Sequence, residues 1–69
     1  MKSRTAIISI KDLKADALPA LEQALGAVPG VQSIDFNLER SVAVVEFEGE
    51  HTIVDDLMRA VLKAGYQLI

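Results

Sequence analysis

The 69-residue chain contains no cysteine. No disulfide can restrict its unfolded state, so packing alone must hold the fold. Tryptophan is also absent, and Phe36, Phe47 and Tyr66 are the whole aromatic content, too little for a platform on which nucleobases stack. Basic charge is scarce: seven Lys and Arg stand against ten Asp and Glu, a formal net charge of −3. Glu46, Glu48, Glu50, Asp55 and Asp56 gather in one stretch that would repel a phosphate backbone, so no nucleic acid is expected as a partner. A solvated surface that keeps a small protein soluble accounts for this cluster better than a cation-attracting patch does. Long apolar runs are missing as well, because Pro19, Gly26, Pro29 and Gly30 interrupt residues 17–31 well short of the roughly 20 residues of a membrane span. The apolar run after Lys2 and Arg4 meets Lys11 and Asp12 too soon for a secretory signal. The expectation is no membrane partner and a cytoplasmic location.

Apolar residues make up 51% of the chain and charged ones 25%, an ordinary globular balance that argues for one domain over residues 1–69. A domain this small buries roughly 60% of the surface its unfolded chain exposes, which leaves room for one sheet and two helices. Ala6, Ile8 and Ile10 alternate with Thr5, Ile7 and Ser9, the pattern of a strand with one buried face. Leu18, Leu21, Leu25 and Val28 then recur at helical spacing, with Ala17 and Ala24 beside them, predicting a helix over residues 16–28. Asp16 is expected to cap its first turn, and Pro19 is tolerable there because that turn has no use for the missing N–H.

Pro29-Gly30 stops the helix, after which Ile34, Phe36 and Leu38 alternate with Ser33, Asp35 and Asn37 as a second strand. Residues 38–41 separate it from residues 42–47, a hairpin spacing with antiparallel pairing. Gly49 ends that third strand. Thr52, with Asp55 three residues on, resembles a capping box, and Val54, Leu57, Val61 and Ala64 give a second helix its stripe. Gly65 ends this helix, and residues 66–69 are expected to add a short last strand. The order βαββαβ predicts an α+β, ferredoxin-like sandwich: a four-stranded antiparallel sheet with both helices on one face and the other face open.

Ile8 and Ile10 before the loop, Leu21, Ala24 and Leu25, Pro29-Gly30-Val31, Asn37-Leu38-Glu39, the strand 43–47, Leu57, Ala60 and Val61, and Ala64-Gly65-Tyr66 together resemble the heavy-metal-associated domain of copper chaperones and metal-pumping ATPases. The likeness covers nearly the whole chain. In that family the loop after the first strand reads Gly-Met-x-Cys-x-x-Cys, and two thiolates at the start of the helix hold a soft ion such as copper(I). Here the loop is Lys11-Asp12-Leu13-Lys14-Ala15-Asp16-Ala17-Leu18, one residue short. Aligned from the strand, Leu13 takes the buried methionine's place and Ala15 and Leu18 the cysteines'; aligned from the helix, the cysteines become Lys14 and Ala17. Both registers stay open, and neither supplies a soft donor.

Other ligands are poorly provided. His51 is a single imidazole in the turn before the second helix, at the far end of the sheet from the loop in the family, and Met58 sits at helical packing spacing. Asp12 and Asp16 are too few for calcium, which takes about 6 to 8 oxygens; Asp12 replaces a turn glycine. No metal ligand, cofactor or catalytic residue is assigned. Ser9 and Ser33 have no histidine beside them, and the arginine-bearing phosphate loop of acylphosphatases, which share this topology, is missing. The expected role is a non-catalytic protein-interaction or regulatory module. The alternatives are a metallochaperone-like protein using carboxylates, His51 or a partner's ligand, and a small-molecule sensor resembling ACT domains. Two surfaces are candidates for a protein partner or a homodimer: the former metal loop with Tyr66, on which the related chaperones dock, and an open-sheet patch of Ile7, Val42 and Val44.

Overall fold

The structure is a computed structural model and describes residues 3–50, 52 and 54–69. Strand β1 spans Ser3–Ser9, a single 3-10 turn Ala15–Ala17, helix α1 Leu18–Gly26, β2 Val31–Asn37, β3 Val42–Glu48 and helix α2 Val54–Lys63. β3 lies in the middle and pairs antiparallel with both neighbours, in the order β1-β3-β2. The alternation in the sequence becomes two faces. Ala6 and Ile8 of β1 and Ala43, Val45 and Phe47 of β3 are buried, as are Leu21 and Leu25 of α1 and Leu57 and Val61 of α2. These side chains form one cluster, so both helices cover the same sheet face, and Ile34 and Phe36 of the edge strand β2 pack against it half-buried. Burying a large apolar side chain fully contributes about 1.5–3 kcal/mol each, the main term holding a chain without cross-links.

The sheet has three strands where the sequence predicts four. Residues 66–69 meet the end of β1 through one bridge, Ile10 with Leu68, flanked by Lys11 N–H to Gln67 C=O at 2.8 Å and Ile69 N–H to Ser9 C=O at 3.1 Å. On the loop side pairing goes no further than Lys11, because Asp12, at φ 56°, turns the chain away.

The first helix is also shorter than its apolar spacing suggests. Residues 15–17 form a tighter 3-10 turn, α1 begins at Leu18 with Pro19 in its first turn, and Asp16 makes no side-chain cap, since the residue at the N-cap is Ala17. Leu38 leaves the predicted second strand for the turn and is 43% exposed, because Asn37 ends β2 by accepting the Arg40 N–H on Oδ1 at 3.0 Å. In α2 the buried stripe is Leu57 and Val61 with half-buried Ala60. Val54 opens the helix at the margin of the core and Ala64 follows its last turn, so both are exposed. Gly65, at φ +97°, stops α2 as expected: its N–H bonds Leu62 C=O at 3.0 Å and Tyr66 N–H bonds Val61 C=O at 3.3 Å, the paired bonds of a Schellman motif.

Thr52 is 2% exposed, and its hydroxyl donates to the carbonyl of Pro29, tying the approach to α2 to the end of α1. Gly30 stands against it at φ +92°, where a Cβ would come within 2.5 Å of Thr52 Oγ1. The expected cap formed by Thr52 and Asp55 runs through Ile53, which lies outside the described residues, as do His51 and Met1.

Candidate functional site

The loop between β1 and α1 is held from both sides of the sheet. Ile10 is fully buried and its N–H donates to Ser41 C=O at 2.9 Å. The Ser41 hydroxyl donates to the Ile10 carbonyl and accepts the Leu13 N–H at 3.3 Å. Ser41 lies in the β2–β3 turn at φ 58°, a conformation that aims both its backbone and its hydroxyl at the loop. On the opposite side Gln67 accepts from Lys11, which brings the Tyr66 segment to the loop. Tyr66 itself is half-buried against the core.

Within this frame Asp12 takes the left-handed conformation that Asp tolerates better than most residues, the role of a turn glycine. Leu13 then turns inward and is 6% exposed, the buried place that the family resemblance gives to methionine. Lys14 is extended, and its carbonyl accepts the Ala17 N–H at 3.0 Å to close the 3-10 turn. Lys14, Ala15 and Asp16 project outward, Ala17 is buried and Leu18 half-buried. At every position where either register places a cysteine, the side chain is a methyl, an isobutyl group or an ammonium: Ala15 and Leu18, or Lys14 and Ala17. Such a surface offers hydrogen bonding, charge and small apolar contacts to a neighbour, and no soft donor to a metal.

Among the described residues no group of three or more His, Cys, Asp or Glu side chains stands close enough to hold a metal ion. Met58, weighed as a ligand in the sequence, is a half-buried residue of α2. No helix among the described residues is long and apolar enough to cross a membrane.

The open-sheet residues also come together. Ile7 of β1 is opposite Val44 of β3, and Ser9 is opposite Val42. Ile7 is 70% exposed while Val42 and Val44 are half-buried, so the apolar patch is small. Asp35 lies across from Val44 on the other side, and Glu46 across from Thr5, which gives the patch an acidic margin.

Ser41 is the loop residue that sequence reasoning passes over. A serine in a hairpin turn carries no mark of a contact 31 positions away, and its positive φ is invisible in the pattern. A groove of about 590 Å³ between the two helices, lined by Ala24, Val28, Thr52, Asp56, Ala60 and Lys63, is equally unannounced, because it depends on how α1 and α2 pack.

Known proteins place this geometry. The chain superimposes on oxidized MerP from Ralstonia metallidurans CH34 with a TM-score of 0.88 at 28% identity, covering 99% of this chain and 96% of that one. It is similar to the CopZ metallochaperone, with a TM-score of 0.88 at 25% identity over 96% of this chain and 100% of that one. It also resembles the N-terminal domain of a potential copper-translocating P-type ATPase from Bacillus subtilis, with a TM-score of 0.86 at 28% identity over 97% of this chain and 85% of that one. No curated protein matches. The heavy-metal-associated domain matches residues 20–67, a stretch that begins just after the rebuilt loop. By that match over more than half its length, with the fold agreeing along nearly all of it, the chain belongs to the heavy-metal-associated domain family.

Proposed function

We propose that this chain is a non-catalytic, cytoplasmic protein-interaction or regulatory module that keeps the heavy-metal-associated fold after losing thiolate metal binding. One observation carries the reading: in both registers the ligand positions hold side chains without a soft donor, Ala15 and Leu18 or Lys14 and Ala17, inside a loop that Ser41 ties by hydrogen bonds to Ile10 and Leu13. The exposed run Lys14, Ala15 and Asp16, with Leu13, Ala17 and Leu18 beneath it and Tyr66 alongside, is one surface for a protein partner; Ile7, Val42 and Val44 form the other. Titration with copper(I) and zinc(II), followed by backbone amide signals, tests this. The reading expects no saturable change in residues 13–18, and saturable shifts at micromolar or tighter affinity overturn it.

A second reading is metal handling through other ligands, favoured by the likeness to a metallochaperone and to a domain of a potential copper-translocating ATPase. Its donors would be Asp12 and Asp16, His51, or a group supplied by a partner. The same titration separates the two, since metal-dependent shifts at Asp12, Asp16 or His51 belong to this reading alone.

A further inference from the structure

We propose that the open face of the sheet docks a protein partner whose contact segment carries Lys or Arg beside an apolar side chain. The inference rests on the reading of this chain as an interaction module and names what the partner must present.

The face is built in rows across the three strands. Ile7, Val44 and Asp35 form one row and Thr5, Glu46 and Ser33 the next, because β3 pairs with β1 and β2 at those positions. Alternate residues of a strand share a face and lie about 7 Å apart, so one visiting segment can cover Val44 and reach Glu46. β3 is paired on both sides, which leaves its side chains, and no added strand, to make the contact.

Charge selects among visitors. Asp35, Glu46 and Glu48 lie on this face, and no described Lys or Arg does, since its remaining positions are apolar, hydroxyl or amide residues. Glu48 Oε1 accepts the Glu50 N–H at 2.9 Å. Asp35 and Glu46 are exposed, and among the described residues no ion pair or side-chain hydrogen bond holds either carboxylate.

Nucleic acid and anionic lipid are repelled by such a face. A second copy of the chain is repelled as well, because stacking sheet on sheet would set these carboxylates against their own counterparts with no base between them. A bare cation would leave Ile7, Val42 and Val44 uncovered. The occupant that satisfies both halves of the face is a polypeptide with an apolar side chain over Ile7 and Val44 and cations reaching Asp35 and Glu46, an apolar centre with a polar rim.

Amide signals of the metal-free protein, titrated with end-blocked synthetic peptides, test this. Lys-Val-Lys-Val-Lys should give saturable shifts at Ile7, Val44 and Glu46 with a dissociation constant of about 1 mM or tighter, the range of weak contacts. Glu-Val-Glu-Val-Glu, which reverses the charge, and Lys-Ser-Lys-Ser-Lys, which drops the apolar part, should each bind at least tenfold more weakly. Asp35→Asn combined with Glu46→Gln should weaken the first peptide at least tenfold and keep the circular dichroism of the parent. In the unmodified protein, raising sodium chloride from about 50 to about 500 mM should weaken it in the same direction. Sedimentation equilibrium of the chain alone should show no dimer that Val44→Lys dissolves. Absence of saturable shifts, equal binding of the glutamate peptide, shifts confined to residues 13–18, or such a dimer overturns the proposal, and the dimer would make a second copy the occupant. Copper(I) shifts at residues 13–18 would overturn the loss of metal binding and leave the peptide result untouched, so the two readings fail separately.

Discussion

The hydroxyl of Ser41 donates to the carbonyl of Ile10, linking the hairpin turn between β2 and β3 to the start of the loop that follows β1. The same oxygen accepts the Leu13 N–H, so one side chain fixes both the entry of the loop and the inward turn of Leu13.

Replacing Ser41 with Ala should destabilise the protein by about 1–3 kcal/mol, since it removes two hydrogen bonds and leaves the Ile10 carbonyl short of a donor. Denaturant unfolding measures the loss, and hydrogen exchange at Leu13 should speed up more than at Val45 in the central strand. Equal acceleration at both sites would mean that Ser41 supports the fold as a whole and does not organise the loop.

Thr52→Val should cost about 1–3 kcal/mol, because it keeps the shape of a buried residue while leaving the Pro29 carbonyl without its donor. Gly30→Ala should also destabilise, through its positive φ and the approach to Thr52 Oγ1. Thermal unfolding of the two single variants and the double variant tests whether they act at one place: the combined loss should fall short of additive.

Leu25→Ala should lower stability by about 2–5 kcal/mol, the usual range for emptying a fully buried leucine site. That is a large share of the stability of a small domain. A loss under about 1 kcal/mol in urea unfolding would show that the helices close over the gap and that the core is less tightly packed than the structure describes.

Cysteines put back into the loop should restore metal binding, and the register should matter. Ala15 is exposed and Leu18 half-buried, so thiolates at both positions can reach an ion from solvent. Ala17 is 6% exposed and points into the core, which disfavours the charged thiolate that binding requires. Ala15→Cys with Leu18→Cys should therefore bind copper(I) more tightly than Lys14→Cys with Ala17→Cys, as read by competition with a chromophoric chelator. The reverse order would assign the helix-side register to the loop.

Much of the fold was legible because period-two and helical spacings are written directly in residues such as Ala6, Ile8, Leu21, Leu25, Leu57 and Val61, all of which are buried. Gly30 and Gly65 were readable as stops for the same reason, since their positive φ is a property of the residue type. The fourth strand was legible only in part: residues 66–69 have strand-like composition and do meet the end of β1, but at one bridge, Ile10 with Leu68. Asp16 misled for a related reason: a capping residue type was present, but the 3-10 turn moved the start of α1 past it. At the candidate site, the loss of thiolates was visible from composition alone. The tie that Ser41 makes to Ile10 was not, since the two residues are joined only by the fold.

The central claim is that the loop no longer takes a soft ion. Titrating the unmodified protein with copper(I) under reducing, anaerobic conditions while following the amide signals of residues 13–18 tests it most directly. The account predicts signals that stay in place apart from weak, unsaturating drift. Saturable shifts at residues 13–18 with micromolar or tighter affinity would contradict it.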